Sequence, residues 1–314
     1  MSVRIGMGVA AFPFSSAGAF WRWIELCEER GIDSIWQSDR LVAGAGAPPQ
    51  LEAMSLMAAL AGATDRLKFG MNVVVLPLRD PLVLAAQCAT IDFLSGGRLL
   101  PAFGVGADAA PAWAATGRTA AGRGTRSNEA LEVMTRLWAE ERVTFKGEHY
   151  RYTDASIAPR PAQQPMPLWI GGSSPAAIRR LVRYGNGWLA GLQSPAQVAP
   201  VIAAIKAEAQ RQGATIPDDH YGASFTYRFG SWDEPEVERA AAAFGRLRGA
   251  APPDPRDYFA VGDAATIRGR LAEYEAAGAS KFVLRPIAEG DDDVMAQTQR
   301  LVEEVLPAVH GPAA

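Results

Sequence analysis

Charged and polar side chains stand directly after the second strand-like segment of this sequence. Asp39 and Arg40 follow the short segment Ser34–Ser38. A carboxylate can move a proton and a guanidinium can anchor an anion, so this pair could serve catalysis or form a surface ion pair. Asn72 stands alone inside the apolar run Leu67–Leu76. A buried amide needs partners, so Asn72 is either a satisfied core amide or a ligand contact.

Two glycine-containing segments after later strand-like runs could receive a cofactor. Gly171-Gly172-Ser173-Ser174 precedes Pro175, which is placed to open a helix. Free N–H groups, two hydroxyls and the positive helix end favour a phosphate, although the serines could also simply cap the helix. Gly104-Val105-Gly106 leaves flat room for a planar ring. Four aromatic residues could line a pocket there or belong to the core: Phe12, Phe14, Trp36 and Trp113.

Residues for other common chemistries are sparse. The histidines are His149, His220 and His310, and none follows a clear strand. No H-x-x-x-H pattern, cysteine cluster or G-x-S-x-G elbow is present, so the sequence predicts neither a metal site nor a hydrolytic nucleophile. A cofactor that brings its own reactivity explains this lack of side-chain machinery.

Strand-like and helical runs alternate along the chain and must position these residues. Segments with helical apolar spacing separate the strands, which favours parallel pairing through crossovers. Eight parallel strands close a barrel. We therefore predict an α/β fold, a (β/α)8 TIM barrel with insertions at its C-terminal face, as one domain over residues 1–314. The strand-like segments are Arg4–Phe12, Ser34–Ser38, Leu67–Leu76, Leu99–Gly106, Leu168–Ile170, Trp188–Gly191, Tyr221–Phe229 and Lys281–Ile287.

Two insertions interrupt the alternation. Ala107–Gly124 is rich in alanine and glycine, and Val143–Tyr152 alternates around Lys146-Gly147, which predicts a small hairpin. Insertions after barrel strands fall on the C-terminal face, where active sites lie. The alternative fold is an open doubly wound sheet. It would carry a G-x-G-x-x-G fingerprint in the first βα turn, whereas Gly6-Met7-Gly8 lies inside a strand.

Composition restricts the partners and the compartment. The 314 residues are 48% hydrophobic and 21% charged, with a formal net charge of −3. No block of lysine and arginine suggests nucleic acid or a membrane surface, and no apolar run reaches the roughly 18 residues of a spanning helix. The N-terminus has the pattern of a strand. Cys27 and Cys88 both fall in predicted helices, and cysteines that serve core packing suit a reducing compartment. We expect a cytoplasmic protein with a small-molecule substrate.

Several sequence segments, taken in their order along the chain, resemble the luciferase-like monooxygenase family (bacterial luciferase-like), particularly its F420-dependent oxidoreductase branch. The resemblance extends from about Ile5 to Leu306, nearly the whole chain. So many matches at family spacing are hard to obtain by chance. They are Val75–Pro81, Ala89–Leu99, Gly104–Gly106, Arg123-Gly124 with Glu129, Leu137-Trp138, Phe145–Gly147, Pro167–Gly172 and Asn186–Trp188.

The resemblance implies a flavin or deazaflavin ring at the C-terminal mouth of the barrel. It places a non-proline cis peptide at Asn72-Val73 against the ring, with Asp39 also at the cofactor. Val105-Gly106 would form the ring-adjacent loop, and Gly171-Gly172-Ser173-Ser174 the phosphate cradle. The resemblance also implies a homodimer.

Three positions depart from the family pattern. Many F420 enzymes of the family carry Ser-Asp-His after the second strand, where this chain has Ser38-Asp39-Arg40. Arginine stays protonated, so Asp39 is the remaining candidate to move a proton and Arg40 suits an anionic group. Ala107–Trp113 replaces a usual Gly-Trp and glutamate, and Asn186 replaces a usual aspartate. Luciferase-type FMN enzymes often carry an arginine at the position of Val105, so its absence favours F420.

These features lead to one principal hypothesis and three alternatives. The principal hypothesis is an F420-dependent oxidoreductase, in which hydride passes between C5 of the deazaflavin and a small organic substrate. The first alternative is an FMN-dependent two-component monooxygenase that receives reduced flavin from a separate reductase. The others are a non-catalytic flavin-binding protein and a barrel of unrelated chemistry with a sugar-phosphate ligand. Oxygen consumption distinguishes the first two, because F420 reacts poorly with O2.

Overall fold

Parallel strand pairing closes a ring in this computed structural model, which describes residues 3–9, 12–42, 49–248 and 253–309. Each barrel strand lies beside its neighbours in the sequence, and the eighth returns to the first. All eight predicted strands are present, so the barrel prediction is confirmed. The strands are β1 (Arg4–Val9), β2 (Ser34–Gln37), β3 (Lys68–Met71), β4 (Val74–Val75), β5 (Leu99–Leu100), β6 (Ala102–Gly104), β7 (Val143–Lys146), β8 (Arg151–Ala155), β9 (Trp169–Gly171), β10 (Gly187–Leu192), β11 (Tyr221–Phe229), β12 (Phe259–Gly262) and β13 (Lys281–Pro286).

The third and fourth barrel strands are each broken in two, although the sequence predicted them as continuous. The third consists of β3 and β4 on either side of Asn72-Val73, and the fourth of β5 and β6 on either side of Pro101. Pro101 has no N–H to donate to a neighbouring strand, but its carbonyl still accepts from the Trp169 N–H at 2.9 Å. β5 pairs with β3, while β6 pairs with both β4 and β9, so the ring closes through the fourth strand.

Helices cover the outside of the barrel and begin at capping residues. Asp80 accepts hydrogen bonds from the N–H groups of Leu82 and Val83, and Pro81 occupies the first turn of its helix. None of the helices in the described ranges is apolar over a membrane-spanning length. The helices are α1 (Ala17–Glu29), α2 (Ala53–Ala63), α3 (Pro81–Leu94), α4 (Ala112–Ala115), α5 (Arg123–Ala139), α6 (Pro175–Tyr184), α7 (Pro195–Gln212), α8 (Pro235–Arg248), α9 (Ala264–Ala276), α10 (Gly290–Glu304) and α11 (Leu306–Val309).

Two tryptophans fill the barrel interior. Trp36 on β2 and Trp169 on β9 pack edge to face with ring centroids 6.1 Å apart, and both are buried. Glycines on the next strands make room for them. A Cβ at Gly70 would lie 2.7 Å from the Trp36 ring, and one at Gly187 would lie 2.6 Å from the Trp169 ring. This packed interior leaves the C-terminal ends of the strands as the place for a ligand.

Two further strand elements flank the barrel. The predicted hairpin is present, with β7 and β8 paired antiparallel. A parallel strand that the sequence reading missed, β12, pairs with the second half of β11. β12 follows α8 but is only four residues long, so its pattern gave no separate strand signal.

Glu129 of α5 anchors the hairpin turn. Its carboxylate accepts the N–H groups of Glu148 at 2.8 Å, His149 at 2.9 Å and Tyr150 at 3.1 Å. Ligand atoms of Glu129, Glu148 and His149 lie within 4.8 Å of one another, but the Glu129 oxygens already hold these donors. Burial works to raise the pKa of Glu129, and the backbone hydrogen bonds outweigh it and hold that pKa below its ordinary value.

We expect Glu129→Gln to destabilise the protein by about 2 kcal/mol at pH 7, because charge-assisted hydrogen bonds are lost. A carboxylate whose pKa is lowered by folding stabilises the fold above the unfolded-state pKa and stops doing so as pH falls through the folded-state pKa. The variant should therefore lose less stability than wild type between neutral pH and about pH 3. Urea unfolding across this range measures both effects. Glu141→Gln, at an exposed position, is the control, and parallel pH curves for Glu129→Gln and wild type would contradict the assignment.

Candidate active site

Val73 lies where the ends of three neighbouring barrel strands meet. A Cβ added at Gly104 would come within 2.6 Å of one Val73 methyl, and one at Gly171 within 3.1 Å of the other. The Asn72-Val73 peptide is cis, as the resemblance implied. The structure thus brings together three segments that the sequence singled out, on the third, fourth and fifth strands, and it surrounds Val73 with residues that lack side chains.

The loop after the fourth strand is fitted closely to the third. Gly106 has a φ of +76°, and a Cβ there would lie 2.7 Å from Val75 and 3.1 Å from Trp113. Glycine is therefore required at this position for both conformation and space. Trp113 is buried and donates its indole N–H to the Ala107 carbonyl at 2.8 Å, so the insertion packs over this loop. Val105, half-buried, completes it.

The Gly171–Ser174 loop leads into the N-terminus of α6. Gly172 has a φ of +104° and is exposed. Ser174 caps the helix by accepting the Ala177 N–H at 3.2 Å, and the Ser173 hydroxyl donates to the Gln193 side chain at 2.8 Å. The capping interpretation therefore holds for Ser174. The exposed backbone of Gly172 and the positive end of α6 are the features that suit an anion.

Arg180 is a buried cation beside this loop that the sequence reading missed. Its Nε donates to the Asn128 side chain at 2.7 Å, and another guanidinium nitrogen donates to the Gly124 carbonyl at 3.1 Å. Burial lowers the pKa of Arg180. It lines a narrow cleft together with Ser127, Val105 and Gly171. The Ser127 hydroxyl is buried and has no partner within the described part of the chain. The sequence feature that could have identified Arg180 is an arginine on the apolar, buried face of a helix, α6.

Asp39 is held in a buried ion pair. Its carboxylate accepts two hydrogen bonds from Arg79, at 2.7 and 2.8 Å, and the Val75 N–H at 2.9 Å. The Asp39 side chain is 2% exposed. Burial works to lower the pKa of Arg79, and the hydrogen bonds and charges of Asp39 and Glu52 outweigh it and raise that pKa. Asp39 thus ties the end of β2 to β4 and to the chain that enters α3.

Arg40 is exposed and lines a different place, a cavity of about 580 Å³ at the mouth of the barrel. The cavity lies at the C-terminal ends of the first, second, seventh and eighth strands. Phe14 is the one of the four candidate pocket aromatics that lines it. The other main lining residues come from β11, β12, β13 and α8: Thr226, Phe259, Arg285, Glu236, Arg239, Phe244 and Leu247. The neighbouring residues Asp39 and Arg40 therefore serve different parts of the structure.

A hydrogen bond across the barrel connects the third strand with the seventh. The Asn72 side-chain amide donates to the Ser224 hydroxyl on the seventh strand at 3.3 Å. Ser224 and Thr226 lie on the same face of β11, since alternate residues of a strand point the same way. Thr226 lines the cavity. Asn72 is thus at least partly a satisfied core amide, and it ties the third strand to the seventh, from which Thr226 lines the cavity.

These features define a barrel with a glycine-lined cradle and a cavity at its C-terminal mouth. Residues 6–281 match the model of the luciferase-like monooxygenase family. The match covers most of the chain, and the protein belongs to this family.

Curated relatives include two F420-dependent glucose-6-phosphate dehydrogenases. That of Kineococcus radiotolerans is 36% identical over 201 residues, which are 60% of this chain and 56% of the relative. That of Amycolatopsis mediterranei is 32% identical over 201 residues, 61% of this chain and 59% of the relative. The alignments span little more than half the length of these relatives.

Solved structures of the same fold bind different cofactors. An F420-dependent secondary alcohol dehydrogenase in complex with an F420-acetone adduct superposes with a TM-score of 0.84 at 19% identity, covering 99% of this chain and all of the other. The FMN complex of a type II Baeyer-Villiger monooxygenase from Pseudomonas putida superposes with a TM-score of 0.75 at 18% identity, covering 98% of this chain and 99% of the other. At these identities the similarity establishes the fold alone.

Proposed function

We propose that this protein is an F420-dependent oxidoreductase that exchanges hydride with a small organic substrate in the mouth cavity. The observation that carries the proposal is the cradle in which Val73 faces Gly104 and Gly171, at the same C-terminal mouth of the barrel as a cavity of about 580 Å³. A planar ring needs such a surface without protruding side chains. The names of the two curated relatives support F420 as the ring system.

F420 supplies a carbon centre, C5 of its deazaflavin, that accepts or gives a hydride. The chain's own residues bind and orient. Val73, packed against Gly104 and Gly171, would support one face of the ring, and Gly106 lets the loop after β6 pack closely against Val75. The backbone of Gly172 and the N-terminus of α6 would hold a phosphate, and Arg180 would add positive charge nearby. Asp39 acts as a positioning residue that fixes the strand after Val73.

An FMN-dependent monooxygenase is the second candidate. Arg180 favours it, because a buried cation next to a phosphate loop suits the nearly doubly charged terminal phosphate of FMN better than the singly charged phosphodiester of F420. The side chain at position 105 favours F420, since valine offers no charge to a terminal phosphate. We therefore place F420 first.

Titration of the protein with F420 and FMN, oxidised and reduced, tests the choice. We expect F420 to bind at least tenfold more tightly than FMN, a difference of about 1.4 kcal/mol. Fluorescence quenching measures the affinity, and an oxygen electrode measures any O2 consumption with reduced cofactor. Tight binding of reduced FMN with O2 uptake would favour the monooxygenase. F420 binding without turnover of any substrate panel would favour a non-catalytic binding protein, and binding of neither would contradict the proposal.

The assembly and the compartment belong to the same proposal. We infer a homodimer, which light scattering tests, and a separate reductase only if the cofactor proves to be FMN. Cys27 and Cys88 are both free and buried, which suits the reducing cytoplasm that we propose as the location.

A further inference from the structure

The charges around the mouth cavity are only partly paired. Arg239 of α8 bonds to Glu236 at 3.3 Å and to Glu289 at 2.6 Å, so it engages both glutamates of the cavity wall. Arg228, below them, pairs with Glu234 and Asp293. The carboxylates near the cavity are thus already committed to other arginines.

Arg285 is a cation of the cavity wall without such a partner. Its side chain lies over the first strand, with its Nε 3.2 Å from where a Gly8 Cβ would stand. Among the residues that the structure describes, this buried Nε finds no acceptor and Arg285 forms no ion pair. The residues outside the described ranges include no aspartate or glutamate that could pair with Arg285.

Burial lowers the pKa of Arg285 to about 10, so the guanidinium is still protonated at neutral pH. A buried cation without a counter-ion costs stability, which a ligand of opposite charge would offset. Arg40 lines the same cavity from the end of the second strand, and it too has no carboxylate partner in the described ranges. Two arginines of one cavity, Arg285 partly buried and Arg40 exposed, thus have no carboxylate partner among the described residues.

Much of the remaining wall is apolar. Phe14, Phe244 and Phe259 line the cavity, and Leu247 extends the apolar surface to the rim, where it is 72% exposed. A polyhydroxylated body would find few hydrogen-bond partners on these side chains, whereas a hydrocarbon or aromatic body would bury apolar area.

We propose that the cavity binds an organic acid, with one anionic group on Arg285 and Arg40 and an apolar body against Phe244 and Phe259. That this acid is the hydride-exchanging substrate rests on the proposed function, but its binding does not. The guanidinium fork of Arg285 suits a carboxylate, sulfonate or phosphate oxygen pair.

A matched pair of fluorescent probes tests the site: 8-anilinonaphthalene-1-sulfonate and its neutral analogue N-phenyl-1-naphthylamine. We expect Arg285→Met to weaken the sulfonate at least tenfold and the neutral analogue less than twofold. Arg285→Lys should retain part of the sulfonate affinity. Arg183→Met, at an exposed arginine of α6 outside the cavity, is the control. Equal sulfonate affinity in wild type and Arg285→Met would overturn the proposal.

Competition with the probe shows whether the cavity prefers an apolar or a polyhydroxylated anion. We expect decanoate to displace the sulfonate probe at lower concentration than glucose 6-phosphate does. The reverse order would overturn the apolar part of the proposal and indicate a sugar phosphate.

Stability and cofactor affinity of Arg285→Met complete the test. Because the variant removes a partly buried cation whose buried Nε has no acceptor among the described residues, its urea midpoint should equal or exceed that of wild type. If it unfolds instead, Arg40→Gln takes its place, with an expected sulfonate loss of about threefold. F420 affinity should be unchanged. A parallel fall in F420 affinity would overturn the proposal by assigning the arginines to the anionic side chain of the cofactor, whereas F420 binding to neither protein would contradict only the proposed function.

Discussion

Gly171→Val is expected to lower the affinity for F420 about 100-fold while the barrel stays folded. A Cβ at this position already lies 3.1 and 3.4 Å from the two Val73 methyl groups, and valine adds two more carbons to the same space. These carbons would occupy the surface on which we place the ring. Overpacking costs about 1–3 kcal/mol, and about 2.7 kcal/mol corresponds to 100-fold in affinity.

A neighbouring glycine provides the control for this variant. Gly191 lies at the end of the next barrel strand and would have no heavy atom within 4 Å of an added Cβ. Gly191→Val should therefore bind F420 within about twofold of wild type. Urea unfolding of both variants checks that the fold is retained, and Gly171→Ala serves if the valine variant unfolds. Unchanged F420 affinity of a folded Gly171→Val would contradict the placement of the ring.

The barrel could be predicted because its signals are local. Apolar strands, crossover helices and capping residues such as Asp80 each act within a few residues, and parallel order follows from the crossovers. Gly106 and Gly171 also carried a local signal, since glycine after a strand marks a close approach. The break at Pro101 could have been inferred from its missing N–H, but the apolar run on both sides suggested one strand.

The roles of the charged residues could not be predicted in the same way. Asp39 and Arg40 are adjacent in the sequence, yet one pairs with Arg79 forty residues later and the other faces the cavity. Which partner a side chain meets depends on tertiary packing that no spacing encodes. Arg285 was part of a predicted strand, and its lack of a counter-ion becomes visible only when its surroundings are known.

Asp39→Asn is expected to destabilise the protein by about 3 kcal/mol, because it leaves the guanidinium of Arg79 without its main counter-charge. Arg79 is 13% exposed and bonds Asp39 through two nitrogens. Its second partner, Glu52, is 40% exposed. Glu52→Gln is therefore the matched control and should cost no more than about 1 kcal/mol. Urea unfolding measures both variants.

The same variant distinguishes a positioning residue from one that moves a proton. If Asp39 acts through Arg79 and Val75, the double variant that combines Asp39→Asn with Arg79→Met should lose less free energy of unfolding than the two single variants lose together. The pH profile of turnover, measured at temperatures below the thermal unfolding midpoint of the variant, should then have the same shape in Asp39→Asn as in wild type. The opposite result would assign proton transfer to Asp39: the variant would be as stable as wild type, would lose turnover and would lack the acidic limb of the pH profile. A carboxylate that moves a proton during the reaction produces such a limb. Since three donors already occupy its oxygens, we expect the first outcome.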